Sequence, residues 1–359
     1  MNTAQETLDS LLKDKNNHSD LRKKEEELYI DKVNTRYDEL LRKKELIEKS
    51  KNIDLSLDTQ LKEAAQIQNE SDEYLILARL AKCFINEDFN DCVTFFPKNL
   101  ILIGAKSGDG KSTTSANIAI QILQQNGRML IITNEEQRAD VFNRVTCLLK
   151  NWSYTKHSQF TDEQLATFRY FTGLLANRMT VIQDDYNGGT GHTTTLEGII
   201  NILETLIKQG IKYDAIILDY YQNVSSSTEF PYLKDWEVQD RLVHYLDQYK
   251  NRYMAPLVVL AQLKQNEEEK TPFKERIEGR KSIYNKATCA VEMIAEREFL
   301  RTAWIFRKTR FSAAVGKVVY TGYDKGKFVK YTPEFSNEVM LKLQAKENAQ
   351  LLSQKNKGK

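Results

Sequence analysis

"LILIGAKSGDGKSTTSANIA", residues 100–119, sets an apolar run against a loop of small residues, and that loop against an amphipathic continuation. The unbroken apolar run reads as a strand buried on both faces, and the stretch beyond Lys111 as a helix. Residues 105–112, AKSGDGKS, have the spacing of a phosphate-binding loop, with Ala105 where that pattern usually has its first glycine. The spacing has a physical reason. Glycines at 108 and 110 let backbone N–H groups turn inward around phosphate oxygens, and the helix N-terminus beyond Lys111 adds the positive end of its dipole. The nucleotide-binding candidates are therefore Ala105, Lys106, Ser107, Gly108, Asp109, Gly110, Lys111, Ser112 and Thr113. Lys111 is placed to reach the β- and γ-phosphates and the Ser112 hydroxyl to ligate a metal, so ATP and Mg²⁺ are the expected ligands.

Outward from this loop, short apolar runs alternate with amphipathic stretches. Strands are predicted at 129–133 (MLIIT), 179–183 (MTVIQ), 215–219 (AIILD) and 256–261 (PLVVLA), with helices near 112–125, 137–150, 162–176, 195–209 and 236–251. That alternation predicts an α/β fold with a mostly parallel central sheet between helical layers. Three later segments, TAWIFRKTRF (302–311), GKVVYTGYD (316–324) and GKFVKYT (326–332), read as antiparallel strands.

A phosphate loop requires a carboxylate on the metal side. The run AIIL at 215–218 buries its strand, and Asp219 emerges at the carboxyl end, where ligands bind in open α/β sheets. Asp219 joins Ser112 as the second metal-side candidate. Glu135 and Glu136 follow the strand MLIIT, and one of them is expected to polarise the attacking water; Glu135 is the choice.

With these residues in place, residues 99–331 resemble the ATPase domain of the DnaB-type hexameric replicative helicases. LIITNEEQRADVFNRV resembles that family's strand, catalytic glutamate and following helix. IILDYYQNV is similar to its Asp-Tyr-Leu-Gln strand, with Tyr221 in place of the leucine. PLVVLAQLKQ maps Gln262 onto the family's γ-phosphate-sensing glutamine, and FRKTRFS maps Lys308 and Arg310 onto its pair of cations that reach a neighbouring subunit's nucleotide. The resemblance implies a RecA-like P-loop NTPase core, an ATP-hydrolysing enzyme, a homo-oligomer in the form of a hexameric ring, and single-stranded DNA as partner. It also implies catalytic roles for Lys111, Glu135, Asp219, Gln262, Lys308 and Arg310.

The polar segment after Gln262, KQNEEEKTPFKERIEGRKSIYNK, supplies the DNA-contact candidates Lys264, Lys274, Arg276, Arg280 and Lys281, positioned for sequence-independent phosphate contacts. A glycine-rich stretch at 184–195, DDYNGGTGHTTT, is either a second DNA loop or a connector whose Thr193 or Thr194 caps the next helix. Two other readings share the same core: a recombination or mediator ATPase that forms filaments on DNA, and an ATP-switched adaptor for a replication partner.

The chain is expected to divide into a charged α-helical region at 1–90, the ATPase domain at 91–335, and a polar helix and tail at 336–359. The first seventy residues contain neither glycine nor proline, and Ile30, Val33, Tyr37, Leu40, Lys44 and Ile47 fall at heptad-like helical spacing, either as the apolar face of a helix packed in a hairpin or against the next domain, or as a short coiled-coil seam. Further helices are predicted at 55–67 and after Ser71, which would send Leu75, Leu77, Leu80, Ala81 and Phe84 toward a core. This region stands where the family carries a globular collar, and a primase or loader is its candidate partner. In the 359 residues no run is apolar enough to cross a bilayer, the net charge is only +2, and the four cysteines show no metal-binding spacing. A cytoplasmic protein without a membrane partner is the expectation.

Overall fold

Alternation along the strand Leu100–Lys106 (β1) decides how the layers assemble in the computed structural model. Leu100 and Leu102 enter one hydrophobic core, while Ile101, Ile103 and Ala105 enter another on the opposite face. A strand apolar on both sides must be covered on both sides. The residues described are 66–69, 71–72, 85–93, 97–154, 159–183, 193–253, 255–265, 270–310, 312–332, and positions 334, 335, 337, 341 and 344. The heptad-spaced residues 30–47, the core-directed residues 75–84, the glycine-rich residues 184–192 and the carboxyl-terminal tail lie outside them. The chain divides into two units, 1–72 and 73–359.

The second unit alternates strand and helix in chain order. After β1 come α1 (Lys111–Gln124), β2 (Met129–Thr133), α2 (Arg138–Leu149), α3 (Asp162–Ala176), β3 (Met179–Ile182), α4 (Leu196–Lys208), β4 (Ala215–Asp219), α5 (Asp235–Arg252) and β5 (Leu257–Leu263). Four strands follow: β6 (Cys289–Glu296), β7 (Arg301–Thr309), β8 (Val318–Asp324) and β9 (Lys327–Lys330). Among the described residues they form a nine-stranded sheet in the order β3-β2-β4-β5-β1-β6-β7-β8-β9. The pairings from β3 through β6 are parallel, and β7, β8 and β9 each run antiparallel to the strand before.

Helices α1, α2 and α3 cover one face and α4 and α5 the other. Their starts follow the local chemistry. Thr161 and Gln164 make a capping box ahead of α3, and the Thr195 side chain accepts the Gly198 N–H ahead of α4. The cap on α4 is thus Thr195, one or two residues beyond the Thr193 or Thr194 anticipated. A short helix at Glu87–Asn90 sends Phe89 fully into the core, where its ring meets Trp304 at 5.3 Å and Phe306 at 5.2 Å. Burial of such a ring contributes about 2–3 kcal/mol.

One strand was not anticipated. β6, CAVEMIAE, carries Glu292 in mid-run, and a carboxylate there argues against a buried strand. The charge is met from two directions: Arg276 Nη1 and Nη2 bind Glu292, the latter at 2.7 Å, and Arg307 Nη2 binds it at 2.7 Å. Glu292 and Arg276 are both fully buried. Their hydrogen-bonded pairing makes that burial tolerable.

Candidate nucleotide site

The parallel strands β1 to β6 all end at one sheet edge, and the site is assembled there from the loops that leave them. Gly108 and Gly110 have φ of +85° and +99°, a left-handed backbone that side chains resist, so their places in the loop require glycine. Gly110 caps α1, whose first residue is Lys111. Lys111 is buried, and its Nζ donates to Gln262 Oε1 at 3.3 Å and lies 5.8 Å from the centre of the Tyr220 ring. The loop and β5's last polar side chain are therefore already joined.

Asp219 ends β4 in register with Thr133 of β2. It is buried, its Oδ2 accepts from Ser115 Oγ at 3.4 Å, and its Oδ1 has no hydrogen-bond partner. Burial and the nearby Glu136 and Glu135 carboxylates raise its pKa to about 7, against the opposing pull of Lys111 and Arg144. Ser115 Oγ also donates to the main-chain oxygen of Ser112 at 2.9 Å, which links the two metal-side candidates. An orphaned, buried carboxylate oxygen, joined through the Ser115 hydroxyl to the residue Ser112 at the helix start, fits a hard divalent cation such as Mg²⁺. Among the described residues no group of three or more His, Cys, Asp or Glu could hold a metal by itself, so the remaining ligands would come from phosphate and water.

The two glutamates separate. Glu136 is bound on both oxygens by Arg144, at 2.5 and 3.0 Å, whereas Glu135 lines a cavity of about 510 Å³ with Lys111 and Ser112. Thr133 Oγ1 accepts from both of their backbone N–H groups, at 3.3 and 3.0 Å. Arg144, Tyr154, Tyr323 and Lys325 line the same cavity. The sequence pattern passed over all four, because they reach the cavity from α2, the segment after it, the end of β8 and the β8–β9 turn.

The segment after Gln262 folds back beside it. Leu263 and Ile277 form an antiparallel bridge, Glu278 N–H donates to Gln262 O at 2.9 Å, and Lys264 N–H donates to Arg276 O at 2.8 Å. Gln222 Nε2 spans Gln262 O and Glu278 O, at 3.1 and 3.2 Å. Tyr221, fully buried, directs its hydroxyl to Arg280 O at 2.8 Å and Glu278 O at 3.2 Å. A leucine at that position would leave both carbonyls without it.

The anticipated DNA-contact residues part company here. Arg276 is a correction: enclosed and bound to Glu292, it has no exposed charge to offer a strand. Arg280 is paired with Asp240 at 2.6 Å and Lys281 with Glu275, but both are exposed enough to exchange partners. Lys264 and Lys274 flank the same excursion, while Glu267, Glu268 and Glu269 lie outside the described residues.

Lys308 and Arg310 sit elsewhere. Lys308 pairs with Ala290, itself level with Leu102 of β1. That is four residues before Lys106, and Arg310 lies further from it still, so the pair stands roughly 13–20 Å along the strands from the phosphate loop. Lys308 Nζ donates to the carbonyls of Tyr284 and Asn285 at 2.7 and 2.9 Å, and Arg310 Nη2 to Asn285 O at 3.3 Å. Burial, with Arg310 and Lys250 close by, lowers the Lys308 pKa to about 8.

A glycine-cradled loop at the start of a helix, a buried acid at the end of a parallel strand two places along the sheet and a glutamate on the cavity wall define an α/β protein of the phosphate-loop nucleotide-binding class. The chain belongs to the family described as DnaB-like helicase C-terminal domain, whose pattern matches residues 86–298. No curated protein matches it in sequence. Among solved structures it is similar to one described as an ATPase domain, with a TM-score of 0.59 and 13% identity, covering 78% of this chain and 100% of that one. It is also similar to a DnaB-like replicative helicase solved for its interactions with primase, with a TM-score of 0.60 and 13% identity, covering 80% of this chain and 71% of that one. At such identities the likeness concerns the fold, which is RecA-like.

Proposed function

We propose that the protein is an ATP-driven motor of the hexameric replicative helicase type, which couples hydrolysis to movement on single-stranded DNA. One observation carries this reading: Lys111 is hydrogen-bonded to Gln262, and Gln262 is the point from which the basic excursion at 264–281 departs. A change at the γ-phosphate would thus be felt first at Gln262 and next in that excursion.

Nucleotide would lie on the loop at 105–113. Mg²⁺, held by Ser112 and Asp219, would neutralise charge on the β- and γ-phosphates. Lys111 would bind the same oxygens, and Glu135, which lines the same cavity, would orient water and accept its proton. Lys308 and Arg310 cannot reach this nucleotide from the other end of the strands. Their role is to complete the site of an adjacent copy, and an arginine that stays charged at working pH suits it. A ring of six copies satisfies this requirement, with Lys264, Lys274, Arg280 and Lys281 contacting DNA phosphates at its centre and the charged region ahead of residue 85 available to a primase or loader; residues 85–90 of the anticipated 1–90 region instead pack into the ATPase core through Ile85 and Phe89. Such a protein acts in the cytoplasm.

The test is a forked-duplex unwinding assay on wild type and Lys111→Ala, with ATPase rates measured with and without single-stranded DNA. DNA-stimulated hydrolysis and strand separation, both lost in the variant, are expected. Stimulated hydrolysis without strand separation would reduce the protein to a DNA-dependent ATPase, and hydrolysis indifferent to DNA would end the motor reading.

A further inference from the structure

Between the two acidic strand ends stands a residue that the sequence pattern passed over. Asn134 follows β2 and precedes Glu135, and its backbone and side chain hydrogen-bond to two separate segments, at residue 193 and at residues 219–223. Its Oδ1 accepts the Tyr220 N–H at 3.1 Å while its Nδ2 donates to Tyr220 O at 2.9 Å, gripping the residue just after Asp219 from both sides. The same Nδ2 donates to Thr193 O at 3.2 Å, tying in the residues ahead of α4. Its own N–H donates to Asp219 O at 3.0 Å, and its C=O accepts from Asn223 Nδ2 at 3.4 Å.

We infer that Asn134 is the positioning residue that sets the Glu135 carboxylate against the Asp219 metal side. The inference rests on the hydrolase reading above. Asp219 ends β4 and Glu135 follows the neighbouring parallel strand β2, so each side chain's direction depends on how its strand exits the sheet. Asn is the residue for this task, because its side-chain amide presents a donor and an acceptor in the geometry of a peptide group. A leucine of nearly equal volume fills the same space and makes none of these bonds. Misplacement of a reacting group by about 1 Å costs on the order of a hundredfold in rate, so the effect of Asn134 falls on turnover and on the metal and not on the nucleotide's grip.

Two measurements on wild type, Asn134→Leu and the smaller Asn134→Ser decide the matter, with melting temperature as the control for folding. In the first, turnover at saturating ATP is expected to fall about 30- to 100-fold, with ADP affinity in the absence of Mg²⁺ kept within about threefold and melting temperature held. In the second, a fluorescent ATP analogue is titrated with and without Mg²⁺, and the gain in affinity that Mg²⁺ confers is expected to shrink about tenfold in both variants. Turnover within about threefold of wild type, or metal-free affinity and melting temperature falling in step with turnover, overturns the inference. If wild type itself does not hydrolyse ATP, the motor reading fails, and the Mg²⁺ titration still judges Asn134: an unchanged Mg²⁺ gain overturns the inference, and a reduced one upholds its metal half.

Discussion

Lys111 Nζ lies 3.3 Å from Gln262 Oε1, so the first residue of α1 and the last polar side chain of β5 are partners. On the proposed function, a γ-phosphate would compete with Gln262 for that ammonium, and the glutamine amide would need a new partner. Gln262 O is meanwhile held by Gln222 and by the Glu278 N–H, so any adjustment is passed to the backbone of the segment behind it.

Gln262→Ala follows directly from this relationship. Basal hydrolysis should fall as well, but by a smaller factor than stimulation by single-stranded DNA, which falls about tenfold or more. ATPase rates titrated with DNA measure both. Full stimulation in the variant would leave Gln262 without a coupling role.

Arg310→Ala should nearly abolish turnover while nucleotide affinity is kept, because the guanidinium lies at the far end of the strands from its own loop. The sharper measurement mixes two inactive proteins. Lys111→Ala lacks a working loop but keeps Arg310, and Arg310→Ala has the reverse defect. If cations complete a neighbour's site, the mixture regains part of the wild-type rate; a mixture as inactive as its components rules out service across copies.

Asp219 also makes stability depend on pH. Its folded pKa of about 7 lies above the ordinary 3.8, so the folded protein binds the extra proton between those values. The cost of the buried carboxylate is absent below about pH 4, grows as pH rises, and is complete above about pH 7. Asp219→Asn should therefore stabilise the nucleotide-free protein by about 1–3 kcal/mol at pH 8, with little gain at pH 4. Denaturant unfolding at the two pH values measures this, and the same variant should lose its Mg²⁺-dependent gain in nucleotide affinity.

The buried Arg276–Glu292–Arg307 cluster and the exposed Arg280 separate stability from DNA binding. Arg276→Ala leaves the Glu292 carboxylate enclosed with one partner fewer and should cost about 3–5 kcal/mol in denaturant unfolding. Arg280→Ala should change stability little, yet weaken single-stranded DNA binding and lower its salt dependence by about one counterion. Equal effects of the two substitutions on DNA affinity at unchanged stability would return Arg276 to the binding surface.

The chain itself determined the layers and the phosphate loop. β1 through β5 are continuous apolar runs, α1 through α5 carry helical periodicity, and glycine at 108 and 110 is required by local backbone geometry; all of this is written within a few residues of where it acts. The nine-strand order depended instead on tertiary contacts, as did β6, whose Glu292 reads as solvent-facing until Arg276 and Arg307 arrive from 16 residues before it and 15 after. The Asn134 clamp and the placement of Lys308 and Arg310 at the far end of the strands likewise join residues distant in sequence. Periodicity records which face of an element is apolar, but the partner of a buried charge or amide is chosen only when the fold brings another segment to it, and there the tertiary structure alone decided.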